Sequence, residues 1–189
     1  GDDGNLLEER AENCRVLQIR NPILTSTDMM KIKAMKRPGF QVETVSILYY
    51  KNTPLQRALE HLFVAVDRAY RDGANIVVLS DRGVDENHVA IPSLLAVSAV
   101  HHHLISVQKR VQTALIVESG EIREVMHAAL LLGYGASAIN PYMAFAILDE
   151  LVSKGDVQMN YETAEKNYIK AICKGLFKIM SKMGISTIR

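Results

Sequence analysis

Two cysteines, no tryptophan and 6% aromatic residues stand in a chain of 189 residues. Two thiols, Cys14 and Cys173, cannot build a disulfide framework or a four-cysteine metal site, and they fall short of what an iron–sulfur cluster asks for. A reduced, cytoplasmic setting is the expectation that follows. An excess of one charge is lacking too: 22 Lys+Arg stand against 21 Asp+Glu. No uniform field therefore draws the chain to nucleic acid or to an anionic membrane. No apolar run reaches the ~18–20 residues of a membrane span. The longest, Ile91 to Val107, is interrupted by His101, His102 and His103. The opening Gly1-Asp2-Asp3-Gly4 is acidic and lacks the basic-then-apolar order of a secretory signal. It also lacks an initiator Met, so a piece of a longer protein is expected. There is no Gly-x-Gly-x-x-Gly after the first strand-like run and no Walker loop, so no phosphate cradle is expected. Gly133-Tyr134-Gly135 precedes a strand-like stretch and so offers no helix N-terminus to a phosphate.

What is present is ordinary globular material. Hydrophobic residues are 48% and charged residues 23%, a composition that excludes general disorder. The length fits one domain, and a chain of this size buries roughly 70% of its unfolded surface without staples. The first 40 residues are irregular. Asn5-Leu6-Leu7 is a docking candidate, and Pro22-Ile23-Leu24 reads as extended. Thr25-Ser26-Thr27-Asp28 supplies helix caps for Met29 to Met35, which Arg37-Pro38-Gly39 stops.

From Phe40 onward the pattern alternates. Val45 to Tyr50 reads as a strand, and Pro54 opens a helix whose apolar stripe runs through Leu55, Leu59, Leu62, Phe63, Val66 and Ala69 to a stop at Gly73. Asn75 to Ser80 and Thr113 to Val117 are continuous apolar runs, the signature of strands buried on both faces. Between them a polar loop extends to His88 and a helix runs from Pro92 to about Gln108. Helices are predicted from Ile122 to Leu132, from Asn140-Pro141 to Lys154-Gly155, and from Asn160 to about Met183, with a short strand at Ala136 to Ile139. The predicted fold class is α/β with alternating β-α units and a parallel sheet. Four strands cannot close an eight-stranded barrel, so a barrel reading is at most a partial one. Gly73-Ala74-Asn75-Ile76 is echoed by Gly135-Ala136-Ser137-Ala138, either as good packing chemistry at a helix-to-strand junction or as a repeated half-barrel unit. The predicted division is an irregular segment at 1–40, an α/β core at 41–158 and a C-terminal helix at 159–189.

Sites in parallel α/β folds form at the carboxyl ends of strands. Those ends carry Ser80-Asp81-Arg82, Glu118-Ser119 and Asn140. Asp81 and Glu118 are candidates for an acid/base pair, and Arg82 for a clamp on a carboxylate or phosphate. The plainer expectation is that Asp81 pairs with Arg82 or caps a helix, while Glu118 and Asn140 satisfy loop backbone. No metal site is predicted. Three adjacent histidines lie about 100° apart on a helix and cannot face one ion, and the i, i+4 spacing is missing. A composite of His88, one of the triple and a carboxylate is the weaker metal reading. Lys166, Lys170, Lys174, Lys178 and Lys182 recur every four residues as a solvated stripe on the last helix, with Ile169, Ile172, Leu176, Ile179, Met180 and Met183 as its apolar positions.

Several long strings carry a resemblance. Val78-Leu79-Ser80-Asp81-Arg82-Gly83-Val84, Ile91 to Val97 and Ala99 to Leu104 resemble the central domain of the glutamate synthase large subunit. So do Gly133 to Ala136 with Asn140-Pro141-Tyr142, and Gly175 to Thr187; the likeness runs from Gly4-Asn5-Leu6-Leu7 onward. The resemblance implies a degenerate, partial TIM-barrel or Rossmann-like body. It implies partners on either side: a glutaminase domain that releases ammonia, and an FMN-binding synthase domain with an iron–sulfur cluster that joins ammonia to 2-oxoglutarate and reduces the product to glutamate. No catalytic residue and no cofactor is expected in this chain itself. The loop after Leu24 lies near the ammonia passage in the family as a Thr-Asn pair. Here it is Thr25-Ser26, so the second position keeps a hydroxyl and loses the amide. Ser181 to Gly184 resembles the entry to the flavin domain. The leading expectation is a noncatalytic linking domain that helps to wall the ammonia passage. The alternatives are a small stand-alone α/β enzyme or ligand-binding module using Asp81, Arg82, Glu118 and Asn140, and a free-standing subunit that docks on a separate flavin protein.

Overall fold

A computed structural model describes residues 16–188; the docking candidate Asn5-Leu6-Leu7 and Cys14 lie outside the described residues. In chain order the elements are α1 (Ser26–Lys33), β1 (Val42–Ser46), β2 (Leu48–Tyr50), α2 (Leu55–Arg71), β3 (Ile76–Ser80), β4 (His88–Ala90), α3 (Ser93–Ser106), β5 (Ala114–Glu118), α4 (Val125–Gly133), β6 (Ala138–Asn140), α5 (Tyr142–Lys154) and α6 (Tyr161–Met183). A single 3-10 turn, Arg110–Gln112, precedes β5.

The main sheet is parallel throughout, in the order β1-β3-β5-β6. Each crossover therefore moves one strand onward in the same direction. Residue alternation sorts the two faces. Val45, Val77, Leu79, Leu115, Val117 and Ile139 pack with α2, α3 and α4 through residues such as Leu62, Val66, Val100, Leu104 and Leu131. Ile76, Val78, Ile116 and Ala138 point the other way, onto Leu24, Met29 and Ile32. Sequential order with the crossover helices on one face is the winding of a barrel opened after four strands. The face that a closed barrel would turn inward is covered here by α1. The extended reading of Pro22-Ile23-Leu24 has its counterpart in a parallel bridge from Ile23 to Ile139 on the β6 edge. Ile139 N donates to the Pro22 carbonyl, and Leu24 N donates to the Ile139 carbonyl.

Local chemistry sets the element ends. Thr25 Oγ1 accepts from Asp28 N at 3.1 Å while Asp28 Oδ2 accepts from Thr25 N at 3.0 Å, so two otherwise orphaned donors at the start of α1 are satisfied reciprocally. The helices α2 to α6 all finish alike. The amide after the last turn reaches back five residues, as in Ala74 to Ala69, Lys109 to Leu104, Ala136 to Leu131, Asp156 to Leu151 and Ile185 to Met180. The residue before each of those donors has positive φ: Gly73, Gln108, Gly135, Gly155 and Gly184. The echo of Gly73-Ala74 at Gly135-Ala136 is this shared helix ending, with both alanines buried.

Two expectations need correction. Val45 to Tyr50 is not one strand. It divides at buried Ile47, whose N–H donates to the Ser80 carbonyl and whose carbonyl accepts from Ile91 N. The polar loop ending at His88 contains a strand start: β4 pairs antiparallel with β2. Both segments leave carboxyl ends of the main sheet, so they can meet only by turning back on each other. Periodicity could not reveal this, because β2 and β4 are three residues each. No helix among the described residues is long and apolar enough to cross a membrane.

Candidate functional site

Register aligns the strand ends. Ser46, Ser80, Glu118 and Asn140 stand opposite one another across the four strands. Ser80, Glu118 and Asn140 share the parity of Val78, Ile116 and Ala138, so their side chains point to the α1 face. All three are buried, Glu118 at 1% and Asn140 at 0% exposure.

Glu118 is the hub of this row. Its Oε1 accepts from Ser80 Oγ at 2.6 Å and from Lys33 Nζ at 2.9 Å, and its Oε2 lies 3.0 Å from Lys33 Nζ. Arg82 Nε lies 3.3 Å from Oε1. Burial is the largest single influence on its acidity and pushes it upward. The Ser80 and Lys33 hydrogen bonds together with the Lys33 and Arg82 charges outweigh burial, and the carboxyl sits below its ordinary value. Lys33 arrives from the last turn of α1, so this ion pair ties the covering helix to the sheet.

Asp81, one residue past β3, serves a different network. Its carboxylate accepts from Ser119 Oγ at 2.6 Å, from Tyr142 Oη at 2.7 Å and from Gly120 N at 3.0 and 3.1 Å. Burial, then the Asp81 hydrogen bond and charge, raise the Tyr142 hydroxyl well above the ordinary phenol value. Arg82 does not pair with Asp81. It lies over the Tyr142 ring at 3.9 Å and reaches Glu118, bridging the two networks. Both carboxylates therefore accept hydrogen bonds on both oxygens.

Asn140 Nδ2 donates to the Leu24 carbonyl at 2.8 Å, fixing the extended segment one residue before Thr25. Thr25 is the N-cap of α1 and Ser26 its first residue. The Thr25-Ser26 pair and the strand-end set thus meet on one carboxyl edge. Sequence reading placed Ser119 at a strand end without giving it a role, and missed Lys33 and Tyr142. Ser119 and Tyr142 each stand one or two residues from a named candidate, but Lys33 gave no signal, because nothing in its spacing announces a partner 85 residues away.

The histidines scatter as helical geometry requires. His101 Nδ1 accepts from Arg110 Nε at 2.8 Å, His102 Nδ1 meets the Ser98 carbonyl, and His103 stacks on Phe63 beside Asp67. His88 is bound to Asp85 at 3.0 Å in its own turn. The composite metal centre is not assembled: no group of three or more His, Cys, Asp or Glu among the described residues could hold an ion.

Against this geometry, comparison with known proteins is specific. The family profile described as "Glutamate synthase central domain" matches residues 1–189. The large chain of glutamate synthase [NADPH] from Bacillus subtilis is 39% identical over 189 residues, which is 100% of this chain and 12% of that one. A ferredoxin-dependent glutamate synthase 2 from Synechocystis is 41% identical over 204 residues, covering 100% of this chain and 13% of that one. Glutamate synthase [NADH] from Schizosaccharomyces pombe is 40% identical over 196 residues, covering 100% and 9%. The chain thus spans about a tenth of the length of these relatives. Among solved structures, a flavocytochrome b2 variant with sulfite bound aligns over 87% of this chain and 36% of its own, at TM-score 0.59 and 16% identity. The pyruvate-bound form of that variant gives 0.55 and 17% over 67% and 30%. That likeness is one of fold, and it agrees with the barrel-type winding of the sheet. With a profile spanning every residue and relatives near 40% identity over the whole chain, the chain belongs to the glutamate synthase central domain family.

Proposed function

We propose that the chain is a noncatalytic spacer that holds a glutaminase domain and an FMN-binding synthase domain at fixed separation, and that its carboxyl edge around Thr25 and Ser26 helps to wall an ammonia passage between them. The observation that carries this reading is the saturation of the strand-end carboxylates by the chain's own donors. Glu118 is held by Lys33, Ser80 and Arg82, and Asp81 by Ser119, Gly120 and Tyr142. A general base needs a free edge within reach of a proton, and these carboxylates have their edges filled. Glutamine, 2-oxoglutarate and a reductant belong to the parent reaction under this proposal, as does its cytoplasmic setting.

The parent's flavin and iron–sulfur cluster do not fit the residues here. The cationic groups at the strand ends, Lys33 and Arg82, are committed to Glu118, and Cys173, the one cysteine among the described residues, has its thiol pushed upward by burial.

In the parent enzyme, Ser26→Phe tests the passage. Glutamine-dependent glutamate synthesis is expected to fall, while glutaminase turnover and synthesis from added ammonia stay at wild-type rates. Equal losses in all three assays would sink the passage role. Asp81→Asn and Arg82→Gln separate spacer from ligand site: lowered melting with unchanged small-molecule binding supports the spacer, and unchanged melting with a lost ligand supports the binding module.

A further inference from the structure

We propose that a groove along α6 is the seat of an acidic amphipathic helix from an adjoining domain of the parent enzyme. The groove, of about 550 Å³, runs between α6 and residues 20–22. Ile169, Cys173, Leu176 and Met180 form its α6 wall. Their spacing of four, three and four residues is that of a heptad seam, and Lys166 and Met183 continue it by three residues at either end. A seam of this period is the surface along which a second helix packs. Ile172 and Leu176 pack into the chain's own core, whereas Phe177, which also lines the groove, is 69% exposed.

Charge selects the partner. Arg20, Lys166 and Lys170 line the groove, and no carboxylate does. Lys166 is engaged by Glu162 at 2.8 Å. Arg20 and Lys170 are exposed and make no ion pair among the described residues. Lys170 flanks the seam, the position from which a coiled-coil helix reaches a carboxylate on its neighbour. The same charges disfavour a second copy of α6 as the occupant. Lys166, Lys170, Lys174, Lys178 and Lys182 stand against only Glu162 and Glu165 on this helix, and like charges brought together across an interface repel. An adjoining domain has chain enough to supply the helix, because this sequence spans about a tenth of the length of its relatives. The inference rests on the reading that the chain works inside such a parent.

Zero-length carbodiimide coupling of the parent enzyme, followed by peptide mass mapping, tests the seat. Lys170 is expected to be joined to an Asp or Glu that lies in the same polypeptide but outside these 189 residues. Alkylation of Cys173 by N-ethylmaleimide, located by mass, gives a second readout. Arg20→Glu with Lys170→Glu should speed it by about tenfold, as two rim attractions become repulsions. Arg20→Lys with Lys170→Arg should leave the rate at wild type. Glutaminase turnover checks that each variant is folded, and the link from wild-type Lys170 decides the matter alone if the charge reversal unfolds the enzyme. Links from Lys170 that stay within these residues or join two enzyme molecules, no link at all, or Cys173 alkylation unmoved by the reversal would overturn the proposal. The spacer and passage readings are untouched by such a failure, since the Ser26→Phe and Asp81→Asn assays test them away from this groove.

Discussion

Replacing Glu118 by glutamine should loosen the covering helix without reshaping the core. The change keeps the side chain's size and removes its charge at a site 1% exposed. Three donors lose their anion: Ser80 Oγ, Lys33 Nζ and Arg82 Nε. Removing one partner of a fully buried ion pair costs about 3–5 kcal/mol, because the other charge is stranded. Here it is not stranded: Lys33 and Arg82 side chains are 32% and 48% exposed and regain water by turning outward. A loss of about 1–3 kcal/mol is therefore expected, or roughly 3–10 °C in Tm for a chain of this length. The pH dependence sharpens the test. A carboxyl held below its ordinary value of 4.5 in the folded state stabilises the protein above that value and loses the contribution as pH falls through the lower folded value. The deficit of Glu118→Gln against wild type should thus be full near neutrality and shrink as both are acidified. Circular dichroism melts across that range decide it. A variant melting within about 1 °C of wild type at neutral pH, too small for the loss above, or a deficit unchanged at low pH, would refute the reasoning. Glu118→Leu with Lys33→Met, which removes both charges, should recover part of the loss.

Three further outcomes follow from other sites. Gly175→Ala in α6 drives its new methyl into the Val125 side chain of α4, and an overpacked contact of this kind should lower stability by about 1–3 kcal/mol in urea titration. Gln108 is the non-glycine residue among the five positive-φ helix ends, at φ 59°, so Gln108→Gly should stabilise by about 1 kcal/mol, visible as a raised melting temperature. His101 is held below its ordinary 6.5 by burial first and then by the Arg110 and His102 charges. Its unfolded form takes a proton before its folded form does, so stability should decline as pH falls below about 6.5, and His101→Gln should flatten that decline in pH-resolved melts.

Much of the fold was legible because its signals are local. Continuous apolar runs such as Ile76 to Leu79 marked strands buried on both faces, and Gly73, Gly135 and Gly184 marked helix ends where positive φ is needed. The β2–β4 pair was illegible because three-residue strands leave no period to detect. The candidate site was legible by position and not by partnership. Strand ends pointed to Ser80, Asp81, Glu118 and Asn140, but which donor each would meet depends on chain segments brought together by packing. The expected Asp81–Arg82 contact failed for this reason: Tyr142 reached Asp81 from α5 and left Arg82 to lie on its ring.

The winding of the sheet accounts for both the polar row at the strand ends and its engagement by donors from the chain itself. In a closed barrel the inward face is filled by side chains from the remaining strands, and the polar residues at the strand tips face a substrate. Four strands leave that face open, and burying it requires another element. Here Leu24, Met29 and Ile32 supply the apolar cover, and the same helix delivers Lys33 to the one carboxylate buried in the row. The helix that makes the open sheet stable is thus the element that occupies its site. Moving α1 away to bare Glu118 would therefore also surrender the cover over Ile76, Val78 and Ile116.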